Sequence, residues 1–195
     1  NGGPETTILA IMDRDGNAVS VIQSVFADLG AGVVSRESGV LMNNRLSAFF
    51  LDPKHPNSLK PGKRTMHTLH SFRVMDKDGV RWSGGSPGGD IQPQVNLQIL
   101  ARLLVFNESA SEAVSAPRWA VLPGTIPIDI AESRGTHVRI DESLNPSVRD
   151  AFTDLGINLV ATSDHNVGSA KIVGRAANGI GAWCDRRRDS LADAR

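Results

Sequence analysis

A single cysteine, Cys184, excludes an internal disulfide and leaves the redox compartment undetermined. The charges cancel, 21 Lys and Arg against 21 Asp and Glu. No basic stripe argues for nucleic acid and no polybasic run argues for a membrane surface. No apolar run is long enough to cross a bilayer. The five histidines, His55, His67, His70, His137 and His165, lack the spacing of a metal site. That argues against structural zinc and transition-metal chemistry, and no cofactor is expected. There is no low-complexity stretch and no solenoid repeat. The 195 residues fit one domain, 1–195, with enough length to bury a core.

What is present begins with Pro4 to Met12, a hydroxyl pair, Thr6-Thr7, running into an apolar, β-branched segment. Asp13-Arg14-Asp15-Gly16 is a turn signal, and Asn17 to Val25 reads as the returning strand of a hairpin. The first methionine is Met12, so the expectation is a piece of something longer, cut by a protease, by itself or by deliberate truncation. A cut before Thr6 would make its hydroxyl a nucleophile and its freed α-amine the base. Alternatively, Thr6 and Thr7 simply start a strand.

Further along, Ser38 to Arg45 reads as a short strand entering an amide-rich bend. Asp52 to Gly62, with Pro53, Pro56 and Pro61, reads as a surface loop. Thr68–Met75 and Val80–Trp82 flank Asp76-Lys77-Asp78-Gly79 as a second hairpin. It leads into the Gly-dense segment Ser83 to Asp90 and then a helix over Gln92 to Phe106, with Pro93 in its first turn. Glycines at a helix start expose N–H groups at the positive end of the dipole, a place for a carboxylate, a phosphate or a developing oxyanion. No lysine follows them, so a phosphate loop is excluded; a tight strand-to-helix turn is the plain alternative. Ser109 to Ala116 is a short helix, Thr136 to Ile140 a strand, and Pro146 to Leu155 a helix ended by Gly156. Lys171–Gly174 and Gly181–Trp183 form a last hairpin about Ala177-Asn178-Gly179, and Asp185 to Asp189 reads as a solvated edge. Three hairpins and two principal helices predict an α+β domain with antiparallel sheets and helices outside.

Several of these blocks agree with one family. Thr6-Thr7 before Asp13 to Val19 resembles the start of the small subunit of the gamma-glutamyltranspeptidase family. Glu37 to Asn44, Pro61-Gly62-Lys63-Arg64, Gly85 to Gly89, Ala113 to Arg118 and Gly181 to Arg187 continue the likeness in order. The resemblance implies an N-terminal-nucleophile hydrolase with an αββα four-layer sandwich. It also implies autocatalytic cleavage of one precursor into a large (alpha) subunit and this small (beta) one, which stay associated. Thr6 then matches the nucleophile, Ser24 the hydroxyl that hydrogen-bonds it, and Gly88 and Gly89 the pair whose N–H groups form the oxyanion hole. Thr7 falls on a neighbour that the family varies. A cytoplasmic location is expected, any targeting signal belonging to the large subunit.

The departures narrow the expectation. Members that act on gamma-glutamyl compounds hold the α-ammonium with an Asn, a Gln or Glu, and an Asp. Those positions here hold Phe26, Arg45 and Ala48. An ammonium brought there loses its acceptors and meets a cation, a cost of several kcal/mol. The Ser-Ser pair that receives the α-carboxylate is His67-Thr68 here, still able to donate to an anion. The loop from Phe50 to Gly62 is shorter than the lid-bearing loop of many relatives, which suggests a more open site. The pattern resembles oxamate amidohydrolases foremost, with glutaryl-type acylases as the other branch. A gamma-glutamyl hydrolase or transpeptidase with an unusual pocket is the alternative enzyme, and a binding subunit that never matures is the non-enzymatic one.

Asn1 to Glu5 does not belong on a subunit cut before Thr6, because an acylated Thr6 nitrogen is no base. The segment is expected to be left over from a precursor nicked elsewhere; the other explanation is a cut before Asn1 and a different nucleophile.

Overall fold

The computed structural model describes residues 6–123, 135–162, 167–177 and 179–194. The segment ahead of Thr6, His165 and Asn178 lie outside the described residues.

Strands β1 (Thr6–Met12) and β2 (Ala18–Ser24) form the first hairpin, with Thr6 opposite Ser24. Its turn is closed by the Asp13 carboxylate, which accepts from the Asp15 and Asn17 N–H groups and from Asn17 Nδ2. Alternation sends Ile8 and Ala18 inward and leaves Leu9, Ile11, Val19 and Val21 half-exposed on the other face. Strands β3 (Ser71–Asp76) and β4 (Gly79–Gly85) make the second hairpin, and β8 (Lys171–Ala176) with β9 (Gly179–Cys184) the last. Together they form one antiparallel sheet in the order β3-β4-β8-β9.

The β1–β2 hairpin lies on one face of this sheet. On the other face sit α1 (Gln92–Leu104) and α2 (Ala110–Ser115). Their apolar stripes, Val95, Ile99, Leu103, Ala113 and Val114, pack against Trp82, Ile172 and Ala170. Pro93 falls in the first turn of α1, and α2 starts in a full capping box between Ser109 and Glu112.

Three expectations need correction. Beside the antiparallel sheet stands a mixed one, β5-β6-β7, of Trp119–Leu122, His137–Asp141 and Leu159–Thr162. Strands β6 and β7 are parallel, connected across α3 (Pro146–Asp154), with Val138, Ile140, Leu144 and Phe152 as their own small core. Both β5 and β7 are four residues long, too short to show an alternation. Second, Ser38 to Arg45 is not a strand: Val34 and Leu41 make an isolated bridge, and Arg45–Ala48 is a single 3₁₀ turn.

The third correction is the charged tail. Asp185 and Arg187 are buried, together with Arg118 and Asp141. Arg118 pairs with Asp185, and Arg187 Nη2 reaches Asp141 at 2.7 Å while its Nη1 meets both Asp185 oxygens at 3.1 Å. Arg187 also donates to the Ala116 carbonyl at 3.0 Å. Two cations and two anions thus join the ends of α2, β6 and β9 at the start of β5, which is why a run that looks solvated is internal. Burial opposes the charge on Asp141, but the bonds from Ser143 and Arg187 outweigh it and lower its pKa. That stabilisation is complete above its usual value of 3.8 and is lost as pH falls through the lower folded value. Removing one partner strands a charge in the interior. Arg187→Met is expected to cost about 3–5 kcal/mol in chemical denaturation; a loss below about 1 kcal/mol contradicts this role.

Candidate active site

Thr6 lies at the open end of the first hairpin, where its Oγ1 donates to Ser24 Oγ at 3.0 Å. Ser24 Oγ also accepts the Phe26 N–H at 3.0 Å. That bond holds a residue with φ of 81°, a left-handed conformation that costs a phenylalanine about 1–3 kcal/mol. The Asn44 side chain supports the same turn by accepting from the Ala27 N–H at 3.0 Å. Thr7 points to the opposite, exposed face of β1.

The packing of the hairpin on the sheet sets the height of Thr6. Ala10 pairs with Ser20, whose hydroxyl meets that of Ser83 at 2.8 Å. Two residues back along β1, Ile8 lies against Gly85, where a Cβ would come within 2.8 Å of Ile8 Cδ1. Thr6 lies two residues further along the same face of β1, and the chain leaving β4 runs on to Gly88 and Gly89.

That chain turns through two positive-φ glycines, Gly88 at 137° and Gly89 at 57°. Gly89–Ile91 is a 3₁₀ turn that runs directly into α1, and its first bond is Ile91 N–H to the Gly88 carbonyl at 3.3 Å. The N–H groups of Gly88 and Gly89 precede that bond, so the helix provides them no carbonyl. The corner is supported from below by buried Ser86, whose hydroxyl donates to the Pro87 carbonyl at 2.8 Å and accepts the Ser169 N–H at 3.0 Å. Sequence reading passed over Ser86, because nothing in a Gly-Ser-Pro run marks that hydroxyl as internal.

A second group surrounds Arg45, in the 3₁₀ turn. Its guanidinium lies 5.2 Å from the centre of the Phe26 ring, and Nη1 donates to buried Thr68 Oγ1 at 3.5 Å. Arg45 Nη2 is buried with no hydrogen-bond partner among the described residues. Burial lowers the pKa of Arg45, and the guanidinium stays charged at any working pH. His67 stands apart: it is exposed, and Nδ1 accepts from the Leu69 N–H at 3.2 Å, which leaves Nε2 as its donor. Ala48 is buried behind the turn. An open cleft of about 480 Å³ adjoins Thr6, walled by Thr7, Gln23, Ser24, Val25, Leu41 and Asn43 as well. Arg45, Thr68 and the Gly88–Gly89 corner are not among its walls. Among the described residues no group of His, Cys, Asp and Glu is placed to hold a metal ion.

A hydroxyl pair, a corner of N–H groups that the helix leaves without a carbonyl and a half-buried cation are groups suited to attack on a carbonyl in an anionic compound. The family model for gamma-glutamyltranspeptidase matches residues 1–194. The glutathione hydrolase-like YwrD proenzyme of Bacillus subtilis is 41% identical over 117 residues, 60% of this chain and 22% of that protein. The oxamate amidohydrolase proenzyme of Klebsiella pneumoniae is 40% identical over 118 residues, again 60% and 22%. The chain thus spans about a fifth of the length of these relatives. Among solved structures, cephalosporin acylase from Bacillus halodurans superposes with a TM-score of 0.84 at 31% identity, over 95% of this chain and 33% of that one.

The two glycines differ in what a methyl group would meet. At Gly88 a Cβ falls 2.7 Å from Ile91 Cγ1, whereas at Gly89 nothing lies within 4 Å. Gly89→Ala should therefore cost about 1–2 kcal/mol, the left-handed penalty alone, and Gly88→Ala clearly more. Thermal melts of the two variants check the order; equal shifts would contradict the crowded corner.

Proposed function

The chain belongs to the gamma-glutamyltranspeptidase family, and we propose that it is the small subunit of an autoprocessed amidohydrolase acting on a small, carboxylate-bearing amide of the oxamate kind. In this reading residues 1–195 are a single domain. A large subunit covers the half-exposed Leu9, Ile11, Val19 and Val21 and completes an αββα sandwich. The mixed α+β fold shared with cephalosporin acylase, an N-terminal-nucleophile hydrolase fold, supports that architecture.

The mechanism starts when cleavage before Thr6 frees its α-amine. The amine takes the Oγ1 proton, and Oγ1 attacks the amide carbon. The negative charge moves to the carbonyl oxygen, where the Gly88 and Gly89 N–H groups receive it; one such donor is worth about 2.7–4 kcal/mol of barrier. The proton on the α-amine passes to the leaving nitrogen as the C–N bond breaks. Water, deprotonated by the same amine, then hydrolyses the Thr6 ester. Ser24 holds Oγ1 in line through the 3.0 Å bond.

The observation that carries the substrate class is Arg45 Nη2, a buried donor without a partner, beside the Thr68 hydroxyl. An anion placed there satisfies it; an ammonium leaves it unpaired and is repelled. Phe26 narrows the same space, which suits a substrate whose carboxylate adjoins its amide. One finding favours a second reading: the Bacillus relative bears a glutathione hydrolase-like name, consistent with a gamma-glutamyl hydrolase. Likeness to cephalosporin acylase leaves a glutaryl-type acylase as a variant of the first reading.

One experiment separates these readings, and two more test the nucleophile. The complete two-subunit enzyme should hydrolyse oxamate at least a hundredfold more efficiently than glutathione; comparable kcat/KM values would overturn the substrate class. Its rate should fall as pH drops below about 7.7–8.0, where an α-amine of ordinary basicity gains its proton and ceases to be a base. A Thr6→Ala precursor should remain whole in gel analysis, and cutting at the same bond would contradict Thr6 as nucleophile.

A further inference from the structure

The segment between Arg45 and Thr68 contains the proline-rich loop, and it is tied down at many points. Phe50 and Ser58 bridge through Phe50 N–H to the Asn57 carbonyl at 3.0 Å and Leu59 N–H to the Phe50 carbonyl at 3.0 Å. The His55 ring stacks on Phe50 with centroids 3.7 Å apart, and Phe49 and Ser58 are buried. Lys63 Nζ reaches across to the Ser58 carbonyl at 3.1 Å. These contacts make the loop a fixed rim.

At its centre is the Asn57 side chain. Nδ2 donates to the Ala48 carbonyl at 2.8 Å and to Thr65 Oγ1 at 3.3 Å, and Oδ1 accepts the Met66 N–H at 3.0 Å. Ala48 ends the 3₁₀ turn that carries Arg45; Met66 lies two residues before Thr68. One planar amide therefore spans the two pieces of chain that hold Arg45 and Thr68, whose side chains meet at 3.5 Å. We infer that Asn57 is a positioning residue for the carboxylate grip, fixing the spacing of Arg45 and Thr68 so that both reach one anion. The inference rests on the substrate class proposed above. It assigns the loop a part in substrate affinity and none in the chemical step, because Thr6, Ser24 and the Gly88–Gly89 corner receive no contact from Asn57.

The test is a double-mutant cycle on the complete enzyme, with oxamate as substrate and self-cleavage and thermal melting as controls of folding. Asn57→Ala should raise KM about tenfold with kcat changed less than twofold. Asn57→Asp keeps the acceptor for Met66 N–H but sets a carboxylate oxygen against the Ala48 carbonyl, so it should raise KM at least as much as Asn57→Ala. In an Arg45→Ala background, where the grip is already lost, Asn57→Ala should change KM less than twofold. An equal factor in both backgrounds, or a fall in kcat that matches a loss of folding, overturns the positioning role and leaves the substrate class standing. An Arg45→Ala variant with unchanged KM removes the substrate class, and this inference with it.

Discussion

The rest of the site depends on how one two-stranded hairpin sits on a four-stranded sheet. Thr6 and the Gly88–Gly89 corner, which the proposed mechanism uses together, are more than eighty residues apart in the chain. Among the contacts that seat the hairpin on the sheet are the Ser20–Ser83 hydroxyl pair and the entry of Ile8 into the space that Gly85 leaves empty. A side chain at Gly85 would push the strands apart, and a slip of one residue would turn Thr6 to the exposed face that Thr7 occupies. Register, set by one missing Cβ and one polar pair, thus decides which of two adjacent threonines is the candidate nucleophile.

Around that frame the polar groups divide into two kinds. Arg118, Asp141, Asp185 and Arg187 pair with one another in the interior and hold the β5-β6-β7 sheet to the end of α2, with Arg118 Nε and Nη1 and Arg187 Nε left without a partner among the described residues. Arg45 differs in having no ion pair among the described residues: burial lowers its pKa, and its Nη2 has no partner there. Leaving a charged donor unpaired costs free energy that a bound anion returns. The same arrangement makes the spacing of Arg45 and Thr68 matter, since a charge-assisted contact weakens quickly with misplacement.

Much of this was legible in the sequence, for physical reasons that can be named. The three hairpins carry their own turn chemistry in Asp13 to Asn17, Asp76 to Gly79 and the turn before Gly179, and α1 shows both its Pro start and its apolar stripe. Thr6, Ser24, Gly88, Gly89, Arg45 and Thr68 were named from the family likeness, and the structure brings Thr6 to Ser24 and Arg45 to Thr68 and Phe26. What escaped was non-local. The parallel β6–β7 pair depends on β7, a four-residue strand with no readable alternation. The Asp185–Arg187 run looks like a solvated edge until partners from Arg118 and Asp141 are seen. Asn57 sits in a loop whose prolines mark it as a connector and hide the amide that fastens it.

The central claim is a covalent one, an ester between the substrate's acyl group and Thr6 Oγ1. Rapid quenching of the complete enzyme during oxamate turnover, followed by peptide mass analysis, tests it most directly. The account predicts an oxalyl adduct on a peptide that begins at Thr6. An adduct on any other residue, or steady turnover by a small subunit that still begins at Asn1, would contradict it.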